Sequence, residues 1–128
     1  MTSLYFPIAS CAGSDHPDAA AYDRRWLVVD AADRWLTQKQ NPDLARITVS
    51  PKLGFLVIRA PGMLRMDIPL DVIEDDDSVR RHVYIGGQRA DVIDEGDLAA
   101  TWMTNFLHAP CRLVKLHPDA PAVSWPQP

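Results

Sequence analysis

The chain has 128 residues, 47% hydrophobic and 23% charged, and its 13 Lys+Arg against 17 Asp+Glu give a formal net charge of −4. Those values suit one folded globular domain and exclude general disorder and a coiled coil. No apolar run approaches the ~18 residues of a membrane span, and a net acidic chain is a poor candidate for nucleic-acid binding, which relies on neutralising phosphates with basic groups. The opening MTSLYFPIAS lacks the basic start and long apolar run of a signal peptide, so the expected location is the cytoplasm.

Eleven prolines cut the sequence into pieces too short for a helical bundle, and the pieces are strand-like. Residues 3–8 predict a first strand, followed by a long polar loop over 9–21. RWLVVDA at 25–31 predicts a largely buried strand. Ala32-Asp33 makes a turn, and 34–37 returns as its hairpin partner. LARITVS at 44–50 alternates, with Leu44, Arg46 and Thr48 on one face and Ala45, Ile47 and Val49 on the other. Strands follow at 53–61 and 63–70, the second with Leu64, Met66, Ile68 and Leu70 on one side. EDDDS at 74–78 is an acidic break. Residues 79–87 and 89–94 form a hairpin around Gly86-Gly87. Residues 94–110 change period: Leu98, Trp102 and Phe106, with Met103 and Leu107, fall at helical spacing. Asp94 or Asp97 starts that helix and Pro110 stops it. A last strand covers 111–116. The tail at 118–128 has four prolines and no periodicity, and reads as a linker or frayed end. The fold class is mainly β: a small barrel of eight or nine short strands with one C-terminal helix, occupying 1–117.

Few residues carry recognisable chemistry. There is no Gly-rich phosphate loop. The four histidines are scattered without ligand spacing, and Asp75-Asp76-Asp77 lacks the spaced ligands of a calcium loop, so no metal site is read. Cys11 and Cys111 are too few for a disulfide framework and are expected as reduced thiols. Ser10-Cys11 follows the first strand in a small-residue loop. Either could be a nucleophile if the fold brings a base to it, or Ser10 could contact a phosphate or carboxylate. Asp23-Arg24-Arg25-Trp26 opens the second strand. A guanidinium fork binds phosphate or carboxylate bidentately; the alternative is an ion pair with Asp23 and a Trp in the core.

Taken together, these segments resemble a known family. Tyr5-Phe6-Pro7-Ile8-Ala9-Ser10-Cys11-x-Gly13 resembles the Y-P-x-K-S-C-x-G opening of the MOSC N-terminal β-barrel domain. Asp23-Arg24-Arg25-Trp26-Leu27-Val28-Val29-Asp30 is similar to its D-R-x-W-h-h-h-D strand. Leu36-Thr37-Gln38-Lys39-Gln40-Asn41-Pro42-x-Leu44-Ala45 is similar to its L-T-x-R-x-x-P-x-L-A segment. Asp94-Glu95-Gly96-Asp97-Leu98-Ala99-Ala100-x-Trp102 and Cys111-Arg112-Leu113-Val114 resemble its closing helix and strand. The match covers 3–116 in order.

The resemblance implies a non-catalytic binding module of molybdenum-cofactor proteins. In such proteins a second, MOSC domain supplies the Cys that ligates molybdenum, and the barrel helps to hold the pterin phosphate. Carried over residue by residue, the cofactor-binding positions are Ser10, Arg24 and Lys39, expected to converge on one barrel edge. The motif Lys is replaced by Ala9, which removes one phosphate contact. No catalytic residue and no metal ligand is implied. The implied partners are a separate MOSC-domain protein and a small anionic ligand, with no nucleic acid and no membrane; the implied cofactor is of the molybdopterin type. The alternatives are a stand-alone enzyme using Ser10 or Cys11 as nucleophile, and a structural remnant without ligand.

Overall fold

A computed structural model describes residues 4–70, 80–117, 123 and 125. Eight strands form two sheets among these residues. The larger has the order β1-β2-β8-β7-β6, built from Ile8–Ala9 (β1), Trp26–Asp30 (β2), Arg80–Ile85 (β6), Gln88–Asp94 (β7) and Cys111–Leu116 (β8). The smaller is β3-β4-β5, from Thr48–Lys52, Phe55–Arg59 and Met66–Pro69. One helix, α1, spans Asp97–Leu107.

β2 organises the fold because its first four residues are buried on both faces. Side chains alternate along a strand. Trp26 and Val28 enter one apolar cluster with Ile8, Leu56, Ile58, Met103 and Leu113, between the two sheets and α1. Leu27 and Val29 enter a second, with Ala9, Trp35, Val83, Val92 and Val114. A strand with two wet-averse faces reads as a continuous apolar run, which is how WLVV reads. β1 pairs parallel with it, Ile8 opposite Trp26 and Ala9 opposite Leu27, and β8 pairs antiparallel on the other side.

The strand ladders do not close into a barrel among the described residues. Residues 33–36 span the gap: Asp30 N–H donates to Arg34 C=O and Leu36 N–H to Val28 C=O, while Trp35 N–H donates to Tyr84 C=O and Tyr84 N–H to Asp33 C=O. The predicted hairpin partner at 34–37 is therefore two isolated bridges, one to β2 and one to β6. The second cluster draws on all five strands of this sheet and on Trp35, so it lies on the inner side of the resulting curl.

Other departures have local causes. The loop at 9–21 contains a 3-10 helix, Pro17–Tyr22, and the strand predicted from residue 44 is first a second 3-10 helix, Pro42–Arg46. In both, Pro occupies the first turn, where its missing N–H is no loss, and the side chain of His16 or Asn41 accepts from the N–H two residues on. The first strand shrinks to Ile8–Ala9, with a single bridge from Tyr5 to Ser14. The Gly86-Gly87 hairpin forms as expected, both residues at positive φ, the conformation a two-residue type I′ turn requires. Gly13 has a different reason: a Cβ there would lie 2.9 Å from the Phe6 ring. Both cysteines are free and buried. The acidic break at 74–78 lies outside the described residues, as does most of the tail; the two described tail residues, Val123 and Trp125, adjoin the second cluster, with Trp125 edge-on to Trp35 at 5.0 Å.

The helix buries Met103, Phe106 and Leu107 as the spacing suggests, but not Leu98. Leu98 is 83% exposed, while Ala99, Ala100, Met103, Phe106 and Leu107 are buried. Positions four apart drift by about 40° each on a 3.6-residue helix, so Leu98 stands about 80° round from Phe106, at the edge of the buried stripe. Alanines at 99 and 100 let the helix approach β8 closely. Trp102 is only partly buried at the cluster's margin, where its indole N–H donates to Leu64 C=O at 2.7 Å. We expect Met103→Ala to cost ~2–5 kcal/mol and Leu98→Ala to stay within ~0.5 kcal/mol of the parent. Urea unfolding of the two variants checks this, and equal losses would mean that the helix is rotated.

Candidate anion-binding site

The structure ties the start of the chain to β2. Asp23 Oδ1 accepts from Phe6 N–H at 2.7 Å, Arg24 N–H donates to Phe6 C=O at 2.7 Å, and Trp26 N–H to Pro7 C=O at 2.9 Å. Asp23 is therefore a clasp between the two segments. Arg24, next to it, holds a positive φ of 55°, and its guanidinium lies 5.9 Å from the Phe6 ring and 3.5 Å from Asp23 Oδ2, about half exposed.

Ser10 leaves β1 at φ 88°. Its hydroxyl donates to Leu36 C=O at 2.7 Å, and its own carbonyl accepts from Gln38 Nε2 at 2.7 Å. Lys39 is the next residue along and is exposed. The loop after β1 and the segment 36–39 are thus one neighbourhood. Arg24 stands elsewhere along the same strand pair: the register sets it level with Phe6 and Ser10 level with Val28, four residues or ~13 Å along the strands. The structure brings Ser10 beside the Lys39 segment and puts Arg24 at the far end of the β1–β2 pair, with each side chain engaged locally.

Ala9 points to the opposite face from Ile8 and is 3% exposed within the second cluster. The Ser10 hydroxyl is bonded to the Leu36 carbonyl and to no described base. Burial pushes the Cys11 thiol well above its ordinary value, the reverse of the shift that makes a reactive thiolate. The same cause acts on Cys111, partly offset by Thr104.

A charged network that sequence reasoning did not assemble lies at the other end of the large sheet. Asp94, 12% exposed, accepts from Arg112 Nε, from Arg112 Nη2 at 3.0 Å, from Arg81 Nη1 at 2.9 Å and from Gly96 N–H at 2.7 Å. Arg112 Nη2 also reaches Asp97 at 2.8 Å, and Arg81 Nη2 reaches Asp33 at 2.6 Å. Burial pushes the Asp94 carboxyl upward, but the bonds from Arg112, Gly96 N–H and Arg81 outweigh it and hold its pKa below the ordinary value. Asp94, Gly96, Asp97 and Arg112 are the motif residues of the closing helix and strand. Their joint role is a brace linking β6, β7, β8, the 33–36 bridge and the start of α1. A cavity of about 610 Å³ opens beside it, lined by Asp30, Asp33, Arg81, Asp97, Thr104 and Arg112 among others. The described cations here are matched by carboxylates, so the brace is a structural feature first.

Residues 2–110 match the family described as the MOSC N-terminal beta barrel domain. The chain belongs to this family. Molybdenum cofactor sulfurase of Danio rerio is 31% identical over 129 residues, covering 93% of this chain and 16% of that protein. Mitochondrial amidoxime reducing component 2 of Bos taurus is 30% identical over 112 residues, covering 80% of this chain and 33% of that protein. A solution structure of a Bordetella bronchiseptica protein superposes with a TM-score of 0.85 at 52% identity, over 98% of this chain and 97% of that one. The chain thus spans 14–16% of the length of the sulfurases of Danio rerio and Homo sapiens, so those matches concern the MOSC N-terminal region of much longer proteins. No helix among the described residues is long and apolar enough to cross a membrane.

The sign of the Asp94 effect is fixed by its lowered pKa. A carboxylate stabilised in the folded state contributes stability above its unfolded pKa. That contribution is present at neutral pH and is lost as pH falls from the ordinary value of 3.8 through the lower native value. Asp94→Asn is expected to cost ~1–3 kcal/mol at pH 7, the scale of hydrogen bonds to charged groups. The gap to the parent should shrink below about pH 4. Thermal unfolding across pH checks it; a gap that stays constant with pH would remove the carboxylate from the account.

Proposed function

We propose that this chain is a non-catalytic module of a molybdenum-cofactor system, holding the phosphate end of a molybdopterin-type cofactor, or the substrate, beside a MOSC domain. The observation that carries the reading is the state of the retained motif residues. Ser10 and Arg24 are non-glycine residues held at positive φ, at the two ends of the one parallel strand pair. Such backbone costs on the order of 1 kcal/mol or more per residue and persists where the surroundings impose it, often at binding sites. The similarity to molybdenum cofactor sulfurase and to mitochondrial amidoxime reducing component 2 supports the same class.

Arg24 would take the phosphate through its exposed guanidinium; Ser10 and Lys39, ~13 Å along the strand pair, would meet another part of the ligand and not the same phosphate. The bound cofactor supplies molybdenum redox chemistry, whose metal ligand belongs to the MOSC domain rather than to these residues. Ser10 must then exchange its bond to Leu36 for one to the ligand. Ala9 leaves the site short of one cation compared with the family motif, so affinity is expected to be low. A Lys at that position would have to leave an apolar cluster to help, at a desolvation cost.

Titration with inorganic phosphate, followed by amide chemical shifts, tests the reading. Saturable shifts are expected around Arg24, with the Ser10 and Lys39 neighbourhood unmoved by phosphate alone. Arg24→Ala should weaken them about tenfold, since hydrogen bonds to charged groups contribute ~1.5–3 kcal/mol, and added salt should weaken them further. Shifts confined to other surfaces, or no saturable binding, would leave a barrel-like domain that has kept the fold and lost the ligand.

A further inference from the structure

The outer face of the small sheet differs in charge from the rest of the chain. Val49, Leu56, Ile58, Met66 and Ile68 enter the first cluster, so alternation turns Ser50, Lys52, Phe55, Val57, Arg59 and Asp67 the other way. The β4–β5 register sets Ile58 opposite Met66, and one pair further on Arg59 is level with Arg65. Like charges at opposite cross-strand positions repel. Arg65 has Asp67 beside it at 3.1 Å. Lys52 and Arg59 have no carboxylate partner among the described residues. Three cations thus stand against one carboxylate, in a chain of net charge −4.

The hairpin at one end of this face is built against its own backbone preference. Lys52 pairs with Phe55, and the two residues between them, Leu53 and Gly54, hold φ of 53° and 84°. A type I′ turn requires positive φ at both positions and favours Asn or Asp before the Gly. Leucine is disfavoured there by its Cβ and has no polar group to bond locally. Yet Leu53 is 90% exposed, with Phe55 beside it at 44%. A Cβ on Gly54 would meet nothing within 4 Å, so the tip stands in open space. A cavity of about 370 Å³ adjoins it, lined by Pro17, Tyr22, Pro51 and Leu70 among others, with Lys52 and Asp18 as its charged members. Strained backbone of this kind clusters at sites that hold a ligand or partner.

We infer that the β3–β4 hairpin and the outer face of the small sheet are a docking surface for an acidic protein partner. Leu53 and Phe55 form the apolar centre, and the cavity beside the tip takes an apolar side chain of the partner. Partner carboxylates pair with Lys52 at the tip and with Arg59 and Arg65 at the other end, four residues or ~13 Å away. The guanidinium forks bind carboxylates through charge-assisted hydrogen bonds, and the Arg59–Arg65 repulsion is removed at the same time. Asp67, level with Val57 between the two cationic ends, makes the pattern mixed. A uniformly anionic lipid surface or phosphate backbone would meet that carboxylate as a repulsive element, whereas a protein can place a donor there.

The test is a titration of the whole chain with a random copolymer of glutamate and tyrosine, followed by amide chemical shifts. Polyglutamate, phosphatidylserine vesicles and a single-stranded oligodeoxyadenylate serve as comparisons. Saturable shifts over residues 52–59 are expected with the copolymer, weaker ones with polyglutamate, and a loss of both with added salt. Arg59→Glu should weaken copolymer binding about tenfold or more. Leu53→Asn, which suits the turn, should preserve or raise the urea midpoint while weakening copolymer binding several-fold. Shifts confined to other surfaces, variants that bind as the parent does, or a Leu53→Asn variant that loses stability would overturn the inference. Tighter binding to the vesicles or to the oligonucleotide through these same residues would also overturn it and assign the face to a membrane or a nucleic acid. Inorganic phosphate alone is expected to move Arg24 and not this face, so failure here and failure of the phosphate-holding role are read separately.

Discussion

β2 must be dry on both faces, and the remaining architecture follows from how that is achieved. Its buried segment, Trp26 to Val29, contributes alternately to two clusters that share no residue. The first is easily covered, since the small sheet and α1 both lie over it. Among the described residues no second sheet or helix lies over the second, which Val123 and Trp125 of the tail adjoin. The large sheet covers it by curling, and the curl is fastened where residues 33–36 bond β2 on one side and β6 on the other. A one-residue slip of β2 would exchange Trp26 with Leu27 and Val28 with Val29 across the sheet. The volumes differ enough between Trp and Leu that neither cluster could accept the exchange. The register is thereby set by packing rather than by backbone hydrogen bonds, which any slip could re-form.

The Asp94 brace is the polar counterpart of that fastening. By alternation, Asp94, Arg112 and Arg81 lie on the second cluster's face, at the end away from Arg25: Arg112 is opposite Val29, Asp94 opposite Val114, and Arg81 opposite Val92. Charges there need partners, because the cluster is apolar and the groups are partly withdrawn from water. Asp94 meets this by accepting from two arginines and a backbone N–H. The arrangement is directional, unlike the clusters, and it fixes the helix start through Gly96 and Asp97. Removing one partner would leave the others exposed to the desolvation cost, so these residues act as a unit.

The elements that were legible in the sequence are those whose burial is regular. β5 alternates cleanly, with Met66 and Ile68 buried, and β2 is a plain apolar run. The β6–β7 hairpin is announced by its two glycines, and the helix by the change of period. The misreadings occurred where backbone chemistry overrides pattern. Pro17 and Pro42 look like breaks yet start 3-10 helices, with His16 and Asn41 as caps. Leu44 fits an alternating strand equally well as a buried residue on a single helical turn. On α1 the large residues Met103, Phe106 and Leu107 mark the buried face, while Ala99 and Ala100, which carry little hydrophobic signal, are buried with them and Leu98 is not. The brace was not legible at all: residues 33, 81, 94, 96, 97 and 112 meet only through the fold. Motif resemblance marked four of its members without showing that they touch.

The candidate site was legible as a list of residues and not as a geometry. Ser10, Arg24 and Lys39 come from motif correspondence, and the fold spreads them along both ends of the β1–β2 pair. The same strand pair explains why. Positive φ at Arg24 interrupts the alternation of β2, so Arg24 turns outward to Phe6 and Asp23 while Arg25 keeps the strand's phase. Two adjacent arginines are thus sent to different environments by one backbone dihedral. The exposed one has a carboxylate beside it and is held weakly, as surface pairs are. The withdrawn one has a buried donor, Nε, without an acceptor among the described residues.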